Sequence, residues 1–522
     1  MKKIFTLIAC AVAALSAQAK DYTGKLSVSV NGSEATPTET TISVEQATDG
    51  TYSLSLKNFA LITEGEAPMY VGTINIQGVK AFQQSASTLL LTSQNITIEA
   101  GDTEGVGFWY GPMLGPVPVE MVGEVKDDAF RTAINIEFGD MAIVVEFANS
   151  GFQLPNSGFE NYHTASHGSS SGQEANGWHM FYSGQGSYVS VSAPMIAGQT
   201  NQSDDVRPGS TGQKSLLLSS KKIVWVVANG TATTGRLNVG SMTAADASNY
   251  SFNNMAMTDV DDNGDPFYAP ICGQPDSLTV WVKFKQGSSN KNYPYASLSA
   301  VLNNGDEYRD PEVEGYTSGV VAKAVNKEIA ETGSEWKRLT VPFDYDSYKA
   351  NGAEGKCMLV TFSTNATPGQ GSGGDNLYID DIALVYNAQL SSLKYNGQSV
   401  TGFSADEDEY TVSGVKTVDP TKIEATANGR GAYIVSNVEE EGQGGVEVSV
   451  SVISEDLKTI NTYYISFPDA TGSTTGISAA EAATTTGSKA IYNAAGQRTS
   501  TLGHGLNILR QQGGKTVKVV KK

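Results

Sequence analysis

The side chains best suited to chemistry are few, and most fall in one region. The chain has four histidines, His163, His167, His179 and His504, and three lie in one Gly/Ser-rich stretch. A nucleophilic triad needs a base beside a Ser or Cys, and only these imidazoles are on offer. His163 and His167 are four apart, the spacing of a metal pair on a helix. Thr164-Ala165-Ser166 between them and Gly168-Ser169-Ser170 after them argue against a helix, so they read as solvent-exposed loop residues. Glycoside hydrolysis needs two facing carboxylates, and among 55 Asp and Glu no segment marks out such a pair. Asp259-Val260-Asp261-Asp262-Asn263-Gly264-Asp265 imitates the start of an EF-hand loop. Its twelfth position is Pro270, where that loop needs a bidentate Glu. It reads as a polar turn, with adventitious calcium as the alternative.

A sugar-binding surface would leave a different mark, because a pyranose face packs its C–H groups on an exposed aromatic ring. Tyr293, Tyr295, Tyr308 and Tyr316 lie in polar, loop-like stretches and are the candidate stacking rings. Trp225 and Trp281 sit inside alternating apolar runs and read as core, as does Trp178 at the start of a strand.

At 522 residues the chain exceeds what one hydrophobic core holds, so several domains are expected. Lys and Arg number 35 against 55 Asp and Glu, a formal net charge of −20. That excludes nucleic acid, which demands a basic surface, and disfavours an anionic membrane surface. Fifty-five glycines suit many short strands and turns, and no long amphipathic helix stands out. The expected class is all-β. Cys10 lies in the leader; Cys272 and Cys357 are either disulfide-bonded, which secretion permits, or two buried thiols. Neither their number nor their spacing supports a zinc or iron–sulfur site.

Residues 1–19 read as a secretory signal: Lys2 and Lys3, the apolar run Ile4 to Leu15, and the small-residue site Ala17-Gln18-Ala19. Cleavage near Ala19 would send the mature chain outside the cell, secreted or on the outer cell surface. Leu7-Ile8-Ala9-Cys10 imitates a lipoprotein box, but apolar residues continue past it. No later segment is long and apolar enough to span a membrane.

Residues 20–149 alternate in period two at Leu26 to Val30, Tyr52 to Leu56, Ile134 to Phe138 and Ile143 to Phe147, with turn signals at Asn31-Gly32 and Asp49-Gly50. About eight to ten strands are expected, closing into a barrel of roughly eight. With Tyr22-Thr23-Gly24, Leu56-Lys57-Asn58-Phe59, Val71-Gly72-Thr73-Ile74 and Val117-Pro118-Val119, the segment resembles the calycin-like β-barrel domain of Bacteroidetes. Phe108-Trp109-Tyr110-Gly111-Pro112 would line a barrel mouth or pack as an aromatic turn over the barrel end.

Residues 150–387 open with Leu154-Pro155-Asn156-Ser157-Gly158-Phe159-Glu160-Asn161 and close with Asp375 to Tyr386, around Ile379-Asp380-Asp381-Ile382. With Leu278 to Lys285 and Trp336 to Phe343 between, they resemble the carbohydrate-metabolism domain of Bacteroidetes surface proteins. The resemblance implies a jelly-roll sandwich and a carbohydrate partner. Strands are expected at runs including Ser187 to Val191 and Ile223 to Val227, a helical excursion at Val320 to Glu331, and an irregular insertion at Asn249 to Pro270. The bookends imply a structural calcium. In a jelly roll the first and last strands commonly pair, which would join Glu160 to Asp380, or to Asp381. Similar carbohydrate-binding modules hold calcium at this pair.

Residues 388–468 carry strand runs such as Leu390 to Tyr395 and Val446 to Val452, the turn Asn396-Gly397, and Thr462-Tyr463-Tyr464-Ile465. They resemble a small immunoglobulin- or cadherin-like sandwich, a spacer. Residues 469–485 have linker composition. Residues 486–522, with Tyr492-Asn493, Gly505-Leu506-Asn507-Ile508 and a basic end, resemble the C-terminal sorting domain of type IX secretion, a short β unit whose partner is the secretion machinery. The combined expectation is a non-catalytic glycan-binding protein. The alternatives are a glycan-active hydrolase with an unlocated carboxylate pair, and a structural or adhesive protein whose barrel binds a small ligand or partner.

Overall fold

The computed structural model describes residues 19–473, apart from 63–66, 149–150, 197 and 443–444, together with 490–493, 498–499, 505–510 and 516–521. Residues 1–18 of the leader, His504 and most of the linker lie outside the described residues.

Eight strands from Lys20–Val30 to Met141–Phe147 pair antiparallel in sequence order, and the last returns to the first, with Leu26 opposite Phe147 and Val30 opposite Ile143. The sheet closes, which removes the free edge that a meander would expose. Alternation sends Leu26, Ile42, Val79, Met121, Phe130 and Phe147 inward, and these side chains fill the barrel. At Phe108 to Pro112, Gly111 lies against Ile98 of that core, and Trp109 meets Tyr70 edge-on at 5.6 Å. The segment is an aromatic turn seated on the barrel, with Phe108 and Tyr110 left facing out.

The central module is a sandwich of two antiparallel five-stranded sheets around one core. One sheet runs Thr200–Ser203, Ser215–Ser219, Asn376–Val385, Ser277–Lys285, Lys337–Pro342. The other is centred on Cys357–Ser363 and Ala296–Asn303. Trp178 is the largest of the fully buried side chains and fills the core against Phe159 and Phe362. Three local expectations are corrected. Val320–Ile329 is a strand, not a helix, pairing with Ala296–Asn303 so that Ala322 and Ala324 alternate into the core. The run at Ser187 to Val191 leads instead into a short helix, Val189–Met195, which buries Val189 and Ala193 one turn apart. The opening stretch forms no strand: Asn156 and Phe159 take positive φ, and the chain docks on the last strand through the Ile382 N–H to Ser157 O bond at 2.9 Å.

Residues 388–473 form a second, smaller sandwich of a three- and a four-stranded sheet. Ala470 is buried, and Gly472 O accepts from Val418 N, so 469–473 belong to this domain rather than to the linker. The domain also packs directly on the barrel. Leu89, Leu91, Val122 and Ala133 on the outside of the barrel form one core with Val435, Ile453 and Leu457. The unbroken run Leu89-Leu90-Leu91 follows from this, since a strand buried on both faces loses its alternation. The last four strands, from Ala490–Asn493 to Thr516–Lys521, make a separate antiparallel sheet.

Candidate functional site

The last strand of the central module, Asn376–Val385, builds the site by breaking its own period. Leu377 and Ile379 point into the core, and so do Ile382 and Leu384, which are out of phase with them by one residue. A β-bulge makes up the difference. Opposite Ser277–Lys285 the register steps from Trp281–Asp380 to Thr279–Ala383, and Asp381 sits at φ 42°. Adjacent aspartates thereby escape the core together, where simple alternation would turn one of them in.

The segment 204–214 crosses this outer face, and carboxylates pin it. Asp380 accepts from Arg207 N and Asp381 N, each at 2.9 Å. Glu160 accepts from Gln213 N at 3.0 Å and Lys214 N at 3.1 Å. The two residues expected to share a calcium therefore both hold backbone amides of one segment. Burial pushes the Asp380 carboxyl up to about 6, against the pull of the Arg207 amide.

Above Asp380, Arg207 Nε donates to Asp381 Oδ2 at 2.5 Å, and its guanidinium lies 5.6 Å from the centre of the Trp281 ring. An open groove of about 490 Å³ follows, with Trp281, Thr279, Arg207, Arg338 and Asp381 among its walls. The next outward positions along the same strands are Lys283 and Tyr378, paired in register. The Lys283 ammonium lies 4.2 Å from the Tyr378 ring and 5.3 Å from Trp336, and pairs with Asp205. Trp336 Nε1 donates to the same Asp205 at 3.1 Å. Trp281, Tyr378 and Trp336 are all half-buried, so this face presents aromatic surface set among fixed charges.

The structure redistributes the sequence candidates. Tyr293 and Tyr295 are exposed, on the loop before Ala296–Asn303, and do not line the groove. Tyr308 is only 3% exposed and packs with Val301, Val320 and Leu359, so its ring offers no stacking face. Tyr316 is half-buried under Arg309, whose guanidinium is 3.8 Å from the ring centre. Trp281 is not core, because it shares strand parity with Thr279 and Lys283 while Val280, Val282 and Phe284 take the inside. Trp225 is 83% exposed, at the tip of a hairpin that Lys221–Ile223 and Val226–Ala228 form without a Gly or Asn to announce it. His163 and His167 are not loop residues but lie on the strand Tyr162–His167, and His179 is fully buried. Cys272 and Cys357 are both free thiols.

Residues 19–150 match the family described as the calycin-like beta-barrel domain. The match covers the barrel and stops short of the groove. No curated protein matches the chain. Among solved structures, a candidate glycoside hydrolase from Bacteroides thetaiotaomicron is similar over 68% of this chain and 86% of that one, at 15% identity and a TM-score of 0.29. So loose a superposition carries no argument about the groove.

Proposed function

We propose that the chain is a secreted, outer-surface protein that binds glycan without hydrolysing it, through the groove on the central module. The observation that carries this reading is half-exposed aromatic surface on one sheet face: Trp281 in the groove with Arg207, Arg338 and Asp381, and Tyr378 and Trp336 beside it around Lys283. Aromatic faces take the C–H side of a sugar, and planar guanidinium and carboxylate groups take its hydroxyls. Hydrolysis would need a second carboxylate facing the first; Asp381 is the one carboxylate among the lining residues, and it is committed to Arg207. A glycan array with the mature chain tests the reading. We expect a defined set of positives, weakened at least tenfold by Trp281→Ala, with no reducing sugar released from them. An array without positives, or one indifferent to Trp281→Ala, refutes the groove. Secretion and type IX sorting belong to the same proposal. Deleting 486–522 should leave the other domains folded and hold the protein in the periplasm, and equal surface display of both forms would exclude a sorting role.

A further inference from the structure

Away from the groove, three buried atoms without hydrogen-bond partners face one another. They are His163 Nε2, His179 Nε2 and Asp261 Oδ2. Each imidazole nitrogen stands 3.3 Å from the same Oδ2; the side chains of His179 and Asp261 have no exposure, and that of His163 has 9%. Leaving a polar group buried and unpaired is costly, most of all a charged one. Three such atoms in one place call for a common partner.

The spacing says what kind. A charge-assisted N–H···O bond would close to about 2.7–2.9 Å. A tetrahedral ion with ligand bonds of about 2.0–2.1 Å holds its ligand atoms about 3.3 Å apart. A third ligand is at hand, since a carboxylate oxygen of Asp265 lies with ligand atoms of His163 and Asp261 in a group spanning no more than 4.8 Å; His179 stands outside that group, against Asp261.

The surroundings orient His163, Asp261 and Asp265 as metal sites orient their ligands, whereas His179 Nδ1 has no hydrogen-bond partner. His163 Nδ1 is 3.1 Å from Asn176 Oδ1, which can only accept, so Nδ1–H donates and the Nε2 lone pair is left free. Asp261 Oδ1 accepts from Asn263 N at 2.9 Å and Asp265 N at 2.8 Å, which leaves Oδ2 for the imidazoles. Asp265 Oδ2 accepts from Gly177 N at 2.8 Å and Asn263 Nδ2 at 3.0 Å. His179 is held by main-chain bonds to Thr233 and by the Phe267 ring, 4.5 Å between centroids.

We propose that His163, Asp261 and Asp265 bind a zinc-class divalent ion, with His179 beside Asp261 as a positioning residue. One imidazole nitrogen and two carboxylates suit zinc, whereas calcium takes six to eight oxygens. The ion would tie the strand Tyr162–His167 to the loop at 259–265, and His179 holds the stretch after Trp178 against Asp261. The site shares no residue with the groove and does not depend on the glycan reading.

The test uses the mature full chain, stripped with a chelator and titrated with zinc, cobalt and calcium. We expect one equivalent of zinc by elemental analysis, the visible absorption of four-coordinate cobalt, and displacement of that cobalt by zinc but not by equimolar calcium. His163→Gln and Asp261→Asn should each weaken zinc at least tenfold. If either variant fails to fold, the cobalt spectrum of the unmodified chain still decides. Absence of the cobalt band, displacement by calcium, or undiminished zinc affinity in both variants would overturn the proposal.

Discussion

Arg131 is where barrel, central module and third domain meet, and its removal should be among the most damaging single changes in the protein. Its Nε donates to Glu124 Oε2 at 2.7 Å, one Nη donates to Glu455 O at 2.7 Å, and the other to Tyr433 Oη at 3.0 Å. The guanidinium also lies 4.7 Å from the centre of the Phe152 ring. Both ionic partners are largely covered, at 15% and 5% exposure. Burial pushes the Glu124 carboxyl up, but Arg131 and the surrounding hydrogen bonds outweigh it and hold it below its ordinary value. Arg131→Ala leaves that carboxylate buried with only neutral donors, such as Tyr433 Oη at 2.8 Å. Breaking a buried pair from one side costs about 3–5 kcal/mol. For a unit of this size that is a fall in Tm of roughly 6–20 °C. Calorimetry at pH 7 measures it, and urea unfolding followed separately at barrel and third-domain sites shows whether the two still melt together. Because the folded pKa of Glu124 is depressed, its contribution is present above the unfolded carboxyl pKa and is lost as pH falls through the folded one. The gap between wild type and Arg131→Ala should therefore narrow in acid. Replacing both partners, Arg131→Met with Glu124→Met, should recover at least half the loss. A loss under about 1 kcal/mol for Arg131→Ala, or separate melting already in the wild type, would refute the argument that this junction couples the domains.

Asp380 should act in the opposite sense with pH. Its folded pKa of about 6 is above the unfolded carboxyl value, so stability falls as pH rises from about 4 to about 6, by at most about 3 kcal/mol, and Asp380→Asn should flatten that part of the Tm–pH curve. Calcium at Glu160 and Asp380, if bound, should raise the Tm of zinc-loaded protein, and Glu160→Gln should abolish the increment; an unchanged melting curve would leave both residues as anchors of the 204–214 segment alone. Burial pushes the Cys357 thiol up to about 12, and its Sγ donates to Asn303 Oδ1 at 2.9 Å, so a thiol reagent at pH 8 should label Cys272 first and reach Cys357 only on unfolding. Equal labelling of both in native protein would contradict that packing.

Period-two alternation was enough to announce an all-β chain and a barrel, because a strand with one buried face writes that face into every second residue. The same rule, applied strictly to Leu278 to Lys285, gives Trp281 the parity of Thr279 and Lys283, a signal that the reading of Trp281 as core passed over because apolar residues surround it. Sequence could not show the bulge at Asp381, since a single extra residue in a ladder has meaning only against its partner strand. Nor could it join His163 and His179 to Asp261 and Asp265. Their separation along the chain matches no motif, and each half has a plain reading alone, histidines in a polar stretch and an incomplete calcium loop. The union of Leu89 and Leu91 with Ile453 was hidden for the same reason. Local pattern determines which face of an element is buried, while the choice of what buries it belongs to contacts between residues far apart in sequence, and only the folded chain brings those together.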